Sequence, residues 1–293
     1  VQAGTANYNV SFLGASNSVG GQTTFLNQGK LILGNEATDS ITFTGGVIAT
    51  APSRREVSGT VSVSGAGGID FSREGTGTYF MHNATLGGTG TGQGTGAIKL
   101  GYAELASNVS LTLGTGTASG LTTGALMGSL SDTSSVTIDI DGDVTVQVIR
   151  ADAVTISKGD NITFTNGVLA NTLDISGVTD INTDSTTGVT FGGRTLVLSD
   201  NTDTGTGLTV GSGAYDIAFF GSGSRIRGGA VTFNNTGSLT FGAETFDSIT
   251  FGNSVDASGV SGVNLEGTLT VQGGRTNEVY TTVNNRQRLQ SYD

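Results

Sequence analysis

The chain has 293 residues, 49 of them glycine, and its small charged share of 13% beside many Val, Ile and Thr residues argues against disorder and favours a β-rich fold. The net charge of −11 argues against nucleic acid as a partner, because that binding depends on Lys and Arg that neutralise phosphates. The absence of cysteine excludes disulfides, thiolate metal sites and a cysteine nucleophile.

Short runs of alternating apolar and polar residues follow one another along most of the chain. They are, in chain order, YNVSFLG, QTTFLNQ, KLILG, SITFTGG, GTVSVSG, NVSLTLG, SVTIDI, DVTVQVI, AVTISKG, NITFTNGV, GVTFGG, RTLVLSD, GLTVGSG, AVTFNN, SLTFGA, SITFGN and TLTVQGG. Runs of this length that end in Gly, Asn, Asp or Ser are typical of strands joined by turns. Because side chains alternate across a strand, each run is expected to have one core face and one solvent face.

One phrase occurs twice. GNEATDSITFTGGV begins at Gly34 and GAETFDSITFGNSV at Gly242, and eight of the fourteen positions agree at a separation of 208 residues. NITFTNGVLANT, from Asn161, echoes SITFTGGVIATA, from Ser40. A β-sandwich gives each strand its own place, whereas the coils of a solenoid present equivalent positions to equivalent environments. The echoes therefore favour a solenoid.

The separations divide into coils of roughly 21 residues, which gives about 13 coils for the whole shaft. The apolar residues of the echoed strands are predicted to form the core: Ile41, Phe43, Ile162, Phe164, Ile249 and Phe251. Phenylalanines at strand positions are predicted to stack as a core ladder, namely Phe191, Phe233, Phe241 and Phe251.

Residues 1–273 are predicted to form the β-solenoid shaft, with two loop excursions. The first is expected near residues 50–57, around Pro52 in the charged stretch ATAPSRREV, and the second near 87–97, in the low-complexity stretch GGTGTGQGTG. Residues 274–293 break the Gly/Thr pattern and are predicted to be a cap, an inter-subunit arm or a linker. The sequence starts directly in strand-like residues, so a processed product or a segment of a longer protein is expected.

The succession of ITF, VTF and LTF strands with GG punctuation, up to about residue 272, resembles the filamentous-haemagglutinin-type adhesins and autotransporter passenger regions. The resemblance is one of composition. It implies a right-handed parallel β-helix that is secreted to a bacterial surface.

The densest carboxylate cluster is DIDGD, with Asp139, Asp141 and Asp143. It is a candidate calcium site, although an EF-hand needs a Glu after the glycine-containing turn, where this chain reads TVQVIR. The alternative is that these carboxylates point outward from a strand that turns at Gly142. A polysaccharide lyase or hydrolase would instead use Asp139 and Asp141 as paired carboxylates, with Arg150 nearby.

Two other sets of residues have a functional and a structural interpretation. Asp39 and Asp247 precede the SITF strands and are predicted to close Asx-turns, the alternative being a repeated site with Glu36 and Glu244. His82 is the only histidine, so a Ser-His-Asp triad would have to use it. An ordinary strand or loop histidine is expected.

The sequence thus predicts an all-β, right-handed parallel β-solenoid that acts as an extracellular or cell-surface structural protein: a self-assembling fibre, sheath or adhesin shaft. No enzymatic activity is expected, and no cofactor apart from the calcium candidate. Copies of the chain joined head to tail are the expected partner, with host-surface or matrix glycans as a second candidate. Membrane insertion is not expected, since no apolar run approaches about 20 residues. The alternatives are a carbohydrate-active enzyme and a glycan-binding spike on the same fold.

Overall fold

The computed structural model describes residues 5–88, 94–178, 188–197, 207–272 and 290–291. In these residues the chain is all-β without a helix, and its parallel strands stack as a β-solenoid of about 10 turns. The parallel β-solenoid predicted from the sequence is therefore confirmed. The chain divides into two compact units: Val1–Thr145 with Arg150–Asp152, and Val146–Ile149 with Ala153–Asp293.

The first unit contains fourteen strands and part of a fifteenth. They are β1 (Val10–Phe12), β2 (Asn17–Val19), β3 (Thr23–Thr24), β4 (Lys30–Leu33), β5 (Ser40–Phe43), β6 (Val47–Ile48), β7 (Arg54–Val63), β8 (Ile69–Phe71), β9 (Thr78–Gly88), β10 (Ile98–Leu100), β11 (Ala103–Leu105), β12 (Ser110–Leu113), β13 (Gly120–Met127), β14 (Ser135–Asp139) and part of β15 (Asp143–Lys158).

Three stacks of parallel strands form this unit. The first contains β1, β4, the start of β7, the start of β9, and β11. The second contains β2, β5, the end of β7, the end of β9, β12 and β14. The third contains β3, β6, β8, β10 and the start of β13. The end of β13 pairs with β11 and so adds to the first stack. β7, β9 and β13 belong to two stacks each because they continue around a corner.

The second unit contains the rest of β15 and the remaining strands. They are β16 (Asn161–Phe164), β17 (Val168–Asp174), β18 (Gly188–Phe191), β19 (Leu196–Val197), β20 (Leu208–Thr209), β21 (Asp216–Phe219), β22 (Ser224–Ile226), β23 (Val231–Thr232), β24 (Ser238–Phe241), β25 (Ser248–Phe251), β26 (Val255–Asp256), β27 (Gly262–Leu265), β28 (Thr268–Val271) and β29 (Gln290–Ser291).

These strands also pair in parallel. One stack contains β16, β18, β21, β24 and β27. Another contains the start of β17, β19, β22, β25, β28 and β29. On the remaining side, the end of β17 pairs with β20, and β23 pairs with β26.

The core is built from the apolar residues of the alternating strands. Each SITF-type strand buries its second and fourth residues and leaves the first and third partly exposed. The six residues proposed as core from the echoed strands are all at most 3% exposed: Ile41, Phe43, Ile162, Phe164, Ile249 and Phe251. Both copies of the repeated phrase therefore direct the same two side chains inward.

Phenylalanine rings stack along the core of the second unit. Phe164, Phe191, Phe219 and Phe241 follow one another at centroid distances of 5.3, 4.8 and 5.9 Å, with interplanar angles of 16° or less. The predicted ladder was only partly right, because Phe233 and Phe251 contact Phe241 edge-on, at 78° and 79°. The ladder forms because in-register neighbours in parallel strands lie about 4.8 Å apart.

The coils have no constant length. Ile41 pairs with Val61, 20 residues on, whereas Ile69 pairs with Ile98, 29 residues on. The expected period of roughly 21 residues and about 13 coils was therefore wrong. Corner segments of different length absorb the variation, while the strands keep their register.

The segment around Pro52 does not leave the coil as predicted. Residues 50–53 contain no strand, but Arg54–Val63 is β7, which pairs with β4 from Arg54 onward. Of the second expected excursion, Gly87 and Gly88 end β9, and 89–93 lie outside the described residues. Of residues 274–293, only Gln290–Ser291 is described, and it forms β29 against β28.

The phenylalanine ladder gives a stability test. We expect Phe191→Ala to lower the free energy of unfolding by about 3–5 kcal/mol, because the cavity lies between two stacked rings. Phe246→Ala is the matched control, since that ring is 70% exposed, and it should change stability by at most about 0.5 kcal/mol. Urea unfolding followed by circular dichroism measures both. Equal midpoints would show that the ladder does not stabilise the unit.

Candidate functional site

The repeated phrase forms the same corner in both places. Gly34 and Gly242 follow β4 and β24 with φ angles of 76° and 83°, which favour glycine. Asp39 Oδ2 accepts hydrogen bonds from the N–H groups of Asn35, at 2.8 Å, and Glu36, at 3.3 Å. Each aspartate closes the turn as expected, but it binds the residues before it, so the turn is not the Asx-turn that was predicted.

The second copy repeats these contacts. Asp247 Oδ2 accepts hydrogen bonds from the N–H groups of Ala243, at 2.9 Å, and Glu244, at 3.3 Å. Both aspartates are buried, at 5% and 3% exposure. The carboxylates are therefore engaged in turn closure, which favours the structural interpretation of Asp39 and Asp247 over a repeated binding site.

Each corner also depends on a glycine in the following turn. A Cβ on Gly59, whose φ is 71°, would lie 2.2 Å from the Asp39 carbonyl oxygen. A Cβ on Gly267, whose φ is 122°, would lie 2.6 Å from the Asp247 carbonyl oxygen. Both glycines stand 25 residues after the first glycine of the phrase. The duplication therefore extends beyond the fourteen-residue phrase to these two glycines.

A second duplicated corner was missed in the sequence. Asn27 Nδ2 donates to the Tyr8 carbonyl, at 3.1 Å, and Asn235 Nδ2 donates to the Tyr215 carbonyl, at 2.9 Å. Both asparagines are fully buried. The available signal was Asn-x-Gly, at Asn27 and Asn235, because these residues are also 208 positions apart.

A polar surface with two tyrosines lies on the outside of the first stack of the first unit. We call Lys30, Arg54, Glu56, Tyr79 and Tyr102 the aromatic surface. Glu56 Oε1 lies 2.9 Å from Lys30 Nζ and 2.7 Å from Arg54 Nε, and the Arg54 guanidinium lies 3.7 Å from the centroid of the Tyr79 ring. Although partial burial opposes it, the hydrogen bonds from Lys30 and Arg54 hold the pKa of Glu56 below its usual value.

Gly77 leaves room for the two rings of the aromatic surface. A Cβ there would lie 3.0 Å from Tyr102 Cδ1 and 3.1 Å from Tyr79 Cε2. Tyr102 is 42% exposed, and partial burial together with the charge of Glu104 raises its pKa. Ring faces beside paired charges can hold a neutral, hydroxyl-rich ligand, because polarised C–H groups pack against the negative face of an aromatic ring.

A shallow groove of about 270 Å³ lies on the outside of the third stack. Asp70 and Lys99 face each other across it in register, beside Ile48 and the small residues Gly68 and Gly96. Asp70 Oδ1 accepts hydrogen bonds from Ser72 N–H and Oγ. The carboxylate therefore stabilises the end of β8.

Arg55 is a fully buried cation in the segment that was predicted to leave the coil. Its Nη1 donates to the carbonyls of Ala49 and Pro52, both at 3.2 Å, and its Nη2 donates to the Thr76 carbonyl at 2.6 Å. Burial, followed by the charge of Arg73, lowers the pKa of Arg55 to about 10. The guanidinium therefore remains charged at neutral pH and fixes the turn at residues 49–53.

The three aspartates of DIDGD do not form the candidate calcium site. Asp139 ends β14, Asp141 lies in the turn that follows, and Asp143 begins β15. Ile140, between Asp139 and Asp141, is fully buried. Among the residues that the structure describes, no group of three His, Asp or Glu side chains could hold a metal ion. Asp141 lies beyond the end of β14, so Asp139 and Asp141 are not on one strand.

His82 is exposed at a corner of β9, and its Nδ1 lies 3.2 Å from Ser58 Oγ. Ser58 is only 2% exposed, in the bulge of β7. Its hydroxyl is not open to a substrate, so the pair lacks the accessible nucleophile of a serine hydrolase.

Comparison with protein-family models, curated proteins and solved structures finds no match to this chain. Within the described part of the chain, there is no helix with the length and apolar character needed to cross a membrane.

The corner glycines give a second test. Gly59 and Gly75 both have φ of 71°, but a Cβ on Gly75 meets no atom within 4 Å. Alanine at either position should introduce the left-handed strain of about 1–2 kcal/mol. We expect Gly59→Ala to cost about 1–3 kcal/mol more than Gly75→Ala, because only its Cβ meets a carbonyl oxygen of the adjacent turn. Chemical unfolding measures the difference, and equal losses would contradict this description of the corner.

The loss of stability at acid pH gives a third test. The hydrogen bond from Asn35, opposed by burial and helped by those from Gly14 and Glu36, lowers the pKa of Asp39. Its stabilising contribution is therefore present above the unfolded pKa of about 3.9 and is lost as pH falls through the lower folded value. We expect Asp39→Asn to reduce stability at pH 7 and to lose less on acidification. Glu36→Gln, in the same corner, is the control for the change in charge.

Proposed function

We propose that this chain is an extracellular structural protein, a shaft of stacked β-coils that joins copies of itself head to tail. The observation that carries the proposal is the parallel, in-register stacking of the strands in each unit, in which β1 and β27 each have a strand neighbour on one side only among the described residues. The many Thr and Ser residues that alternate with apolar residues along the strands and the compositional resemblance to surface adhesins support the extracellular location.

Among the described residues, β1 has one strand neighbour. β1 pairs with β4 on one side, and no other described strand pairs with it. Val10 and Phe12 are partly exposed, whereas Leu31 and Leu33 in the next turn are fully buried. Natural edge strands usually carry charge, proline or a covering element. β1 reads VSF and has neither charge nor proline.

β27 likewise has one strand neighbour among the described residues. β27 pairs with β24 on one side, and the described residues provide no strand for its other side. Val263 and Leu265 are partly exposed, whereas Leu239 and Phe241 of β24 are buried. A contact between two different surfaces is heterologous and continues into a filament unless it closes a ring.

The net charge affects side-by-side association of shafts, and the aromatic surface is a candidate contact for glycans. The net charge of −11 would make side-by-side association of shafts depend on salt. Host-surface or matrix glycans remain a proposed second partner, and the aromatic surface has the chemistry to contact them.

Assembly is tested at Ser11. The Phe12 carbonyl accepts a hydrogen bond from Gly34 N–H within the chain, and neighbouring residues of a parallel strand direct their backbone groups to opposite sides. The Ser11 N–H therefore points to the side of β1 away from β4. We expect the 293-residue chain to form oligomers that grow with concentration. Ser11→Pro should shift assembly to at least about tenfold higher concentration, because it removes that donor.

Ser11→Thr keeps the N–H and serves as the matched control. Sedimentation velocity and electron microscopy measure the assembly. An intact chain that remains monomeric at all concentrations would defeat the proposed function, and equal assembly by Ser11→Pro would show that the β1 edge is not used.

A further inference from the structure

The internal duplication shows which residues of a turn the fold requires. The first copy pairs β4 with β7, and the second copy pairs β24 with β27. Lys30 faces Arg54 in the first copy, whereas Ser238 faces Gly262 at the same place in the second, 208 residues on. Both pairs of strands keep the same register although the charged residues are replaced. The two cations are therefore not needed for the stacking of these turns.

The third charged residue of the aromatic surface is also replaced in the second copy. Glu56 pairs with Ile32, and its counterpart Asn264 pairs with Thr240. The residues that close the turns are, by contrast, the same in both copies: Gly34 and Gly242, Asp39 and Asp247, and Gly59 and Gly267. The fold thus leaves the charged side chains of the first copy free for another role.

The two tyrosines form a continuous ring surface beside these charges. Tyr79 of β9 is in register with Glu104 of β11, and Tyr102 lies two residues before Glu104. Both rings lie over Gly77, where a Cβ would stand 3.0 Å from Tyr102 Cδ1 and 3.1 Å from Tyr79 Cε2. The Glu104 side chain makes a hydrogen bond with the Tyr102 hydroxyl. The rings are therefore held in place before a ligand arrives, which reduces the entropy cost of binding.

Polar groups flank the rings along the stack. The side chains of Lys30 and Arg54 both contact the Glu56 carboxylate through Oε1, so Oε2 can accept a hydrogen bond from a ligand hydroxyl. Arg54 uses Nε for this contact, and its other guanidinium N–H groups can donate. The two cations balance the carboxylates of Glu56 and Glu104, so this set of side chains has no net charge.

These features favour a neutral ligand that is rich in hydroxyl groups. An anion would meet Glu104 and the net charge of −11. A cation would compete with Arg54, whose guanidinium already lies 3.7 Å from the centroid of the Tyr79 ring. A sugar ring with equatorial hydroxyls presents C–H groups on its two faces, which pack against an aromatic ring. Its hydroxyls form a rim that can bond to the donors and acceptors beside the rings.

We propose that the aromatic surface binds a neutral, β-linked glycan, with one sugar ring on the face of Tyr102 and a neighbouring sugar bonded to Glu56 and Arg54. Glu56 and Tyr102 lie two turns apart, about 10 Å along the stack. That separation exceeds the width of one sugar ring, so the ligand is an oligosaccharide or a longer chain. This inference rests on the proposed function and deepens its second partner, because it names the class of glycan and the residues that bind it.

Cellohexaose is the probe, because it is neutral and its β-linked glucose rings carry only equatorial substituents. Saturation-transfer NMR on the 293-residue chain should show transfer to the sugar C–H protons, and calorimetric titration measures Kd. We expect Tyr102→Ala to weaken binding at least about tenfold, because the packing of the sugar on the ring is lost. Phe246→Ala is the matched control, since it removes another exposed ring, and it should leave Kd unchanged. Equal Kd values for Tyr102→Ala and the unaltered chain would overturn the site.

The second copy supplies the replacements for a further variant. Lys30→Ser with Glu56→Asn introduces the residues that stand 208 positions later and keeps the net charge of −11. We expect this chain to remain folded by circular dichroism and its Kd for cellohexaose to rise at least about threefold, because polar partners of the sugar are lost. Loss of the fold would show that the charges are structural and would overturn the assignment.

Lys99→Ser with Asp70→Asn is the matched control, because these two residues are in register on the third stack and their replacement also keeps the net charge. We expect this pair to leave Kd unchanged. An equal rise in Kd for both double variants would show that the effect does not arise at the aromatic surface.

A heparin hexasaccharide tests the charge of the ligand. We expect it to bind at least about tenfold more weakly than cellohexaose, because its sulfates meet an acidic chain. Equal or tighter binding of heparin would overturn the neutral class, and absence of cellohexaose binding would overturn the inference as a whole. Sedimentation velocity on the same samples separates this result from assembly. A monomeric chain that binds cellohexaose supports the inference and defeats head-to-tail assembly, whereas oligomers that do not bind it defeat the inference alone.

Discussion

Successive turns lie on one another at the spacing of a parallel sheet, about 4.8 Å, and this close backbone approach decides which residues the corners accept. At Gly59 and Gly267 the neighbouring carbonyl oxygen stands where a Cβ would be. The aspartate side chains of the corners bind backbone N–H groups that have no strand partner. Glycine and short polar side chains thus close each turn, which accounts for a composition rich in Gly, Asn and Asp at the ends of the strands.

The same spacing organises the interior. Identical side chains at one register position meet in successive turns, and flat rings stack well at that distance, as Phe191 and Phe219 do. Arg55 departs from this apolar pattern. Backbone carbonyls and Thr78 Oγ1 satisfy its buried guanidinium, so the charge is accommodated by a turn that folds around it. Arg55 thus makes polar contacts between two turns whose other core contacts are mostly apolar.

Stacking also leaves unpaired strand edges wherever a strand has no neighbour. The partly exposed side chains of β1 and β27 have covered counterparts within the chain, in β21 and β7. The residues of the aromatic surface take no part in the stacking of the core, because their side chains lie on the outer face of the strands.

The sequence by itself determined the alternation of inward and outward residues, the parallel solenoid and the inward position of residues such as Ile41 and Phe251, because each depends on local periodicity and on one repeated phrase. Only the tertiary structure decided the rest. The sequence alone suggests that Arg55 lies in a loop. In the folded chain its guanidinium is buried and donates to the carbonyls of Ala49, Pro52 and Thr76. The aspartates of DIDGD form a cluster in the sequence, whereas in the structure they are divided between the end of β14, the turn that follows and the start of β15. The contact of Asp39 with Gly59 crosses from one turn to the next, and because coil lengths vary from 20 to 35 residues, no fixed period predicts such contacts.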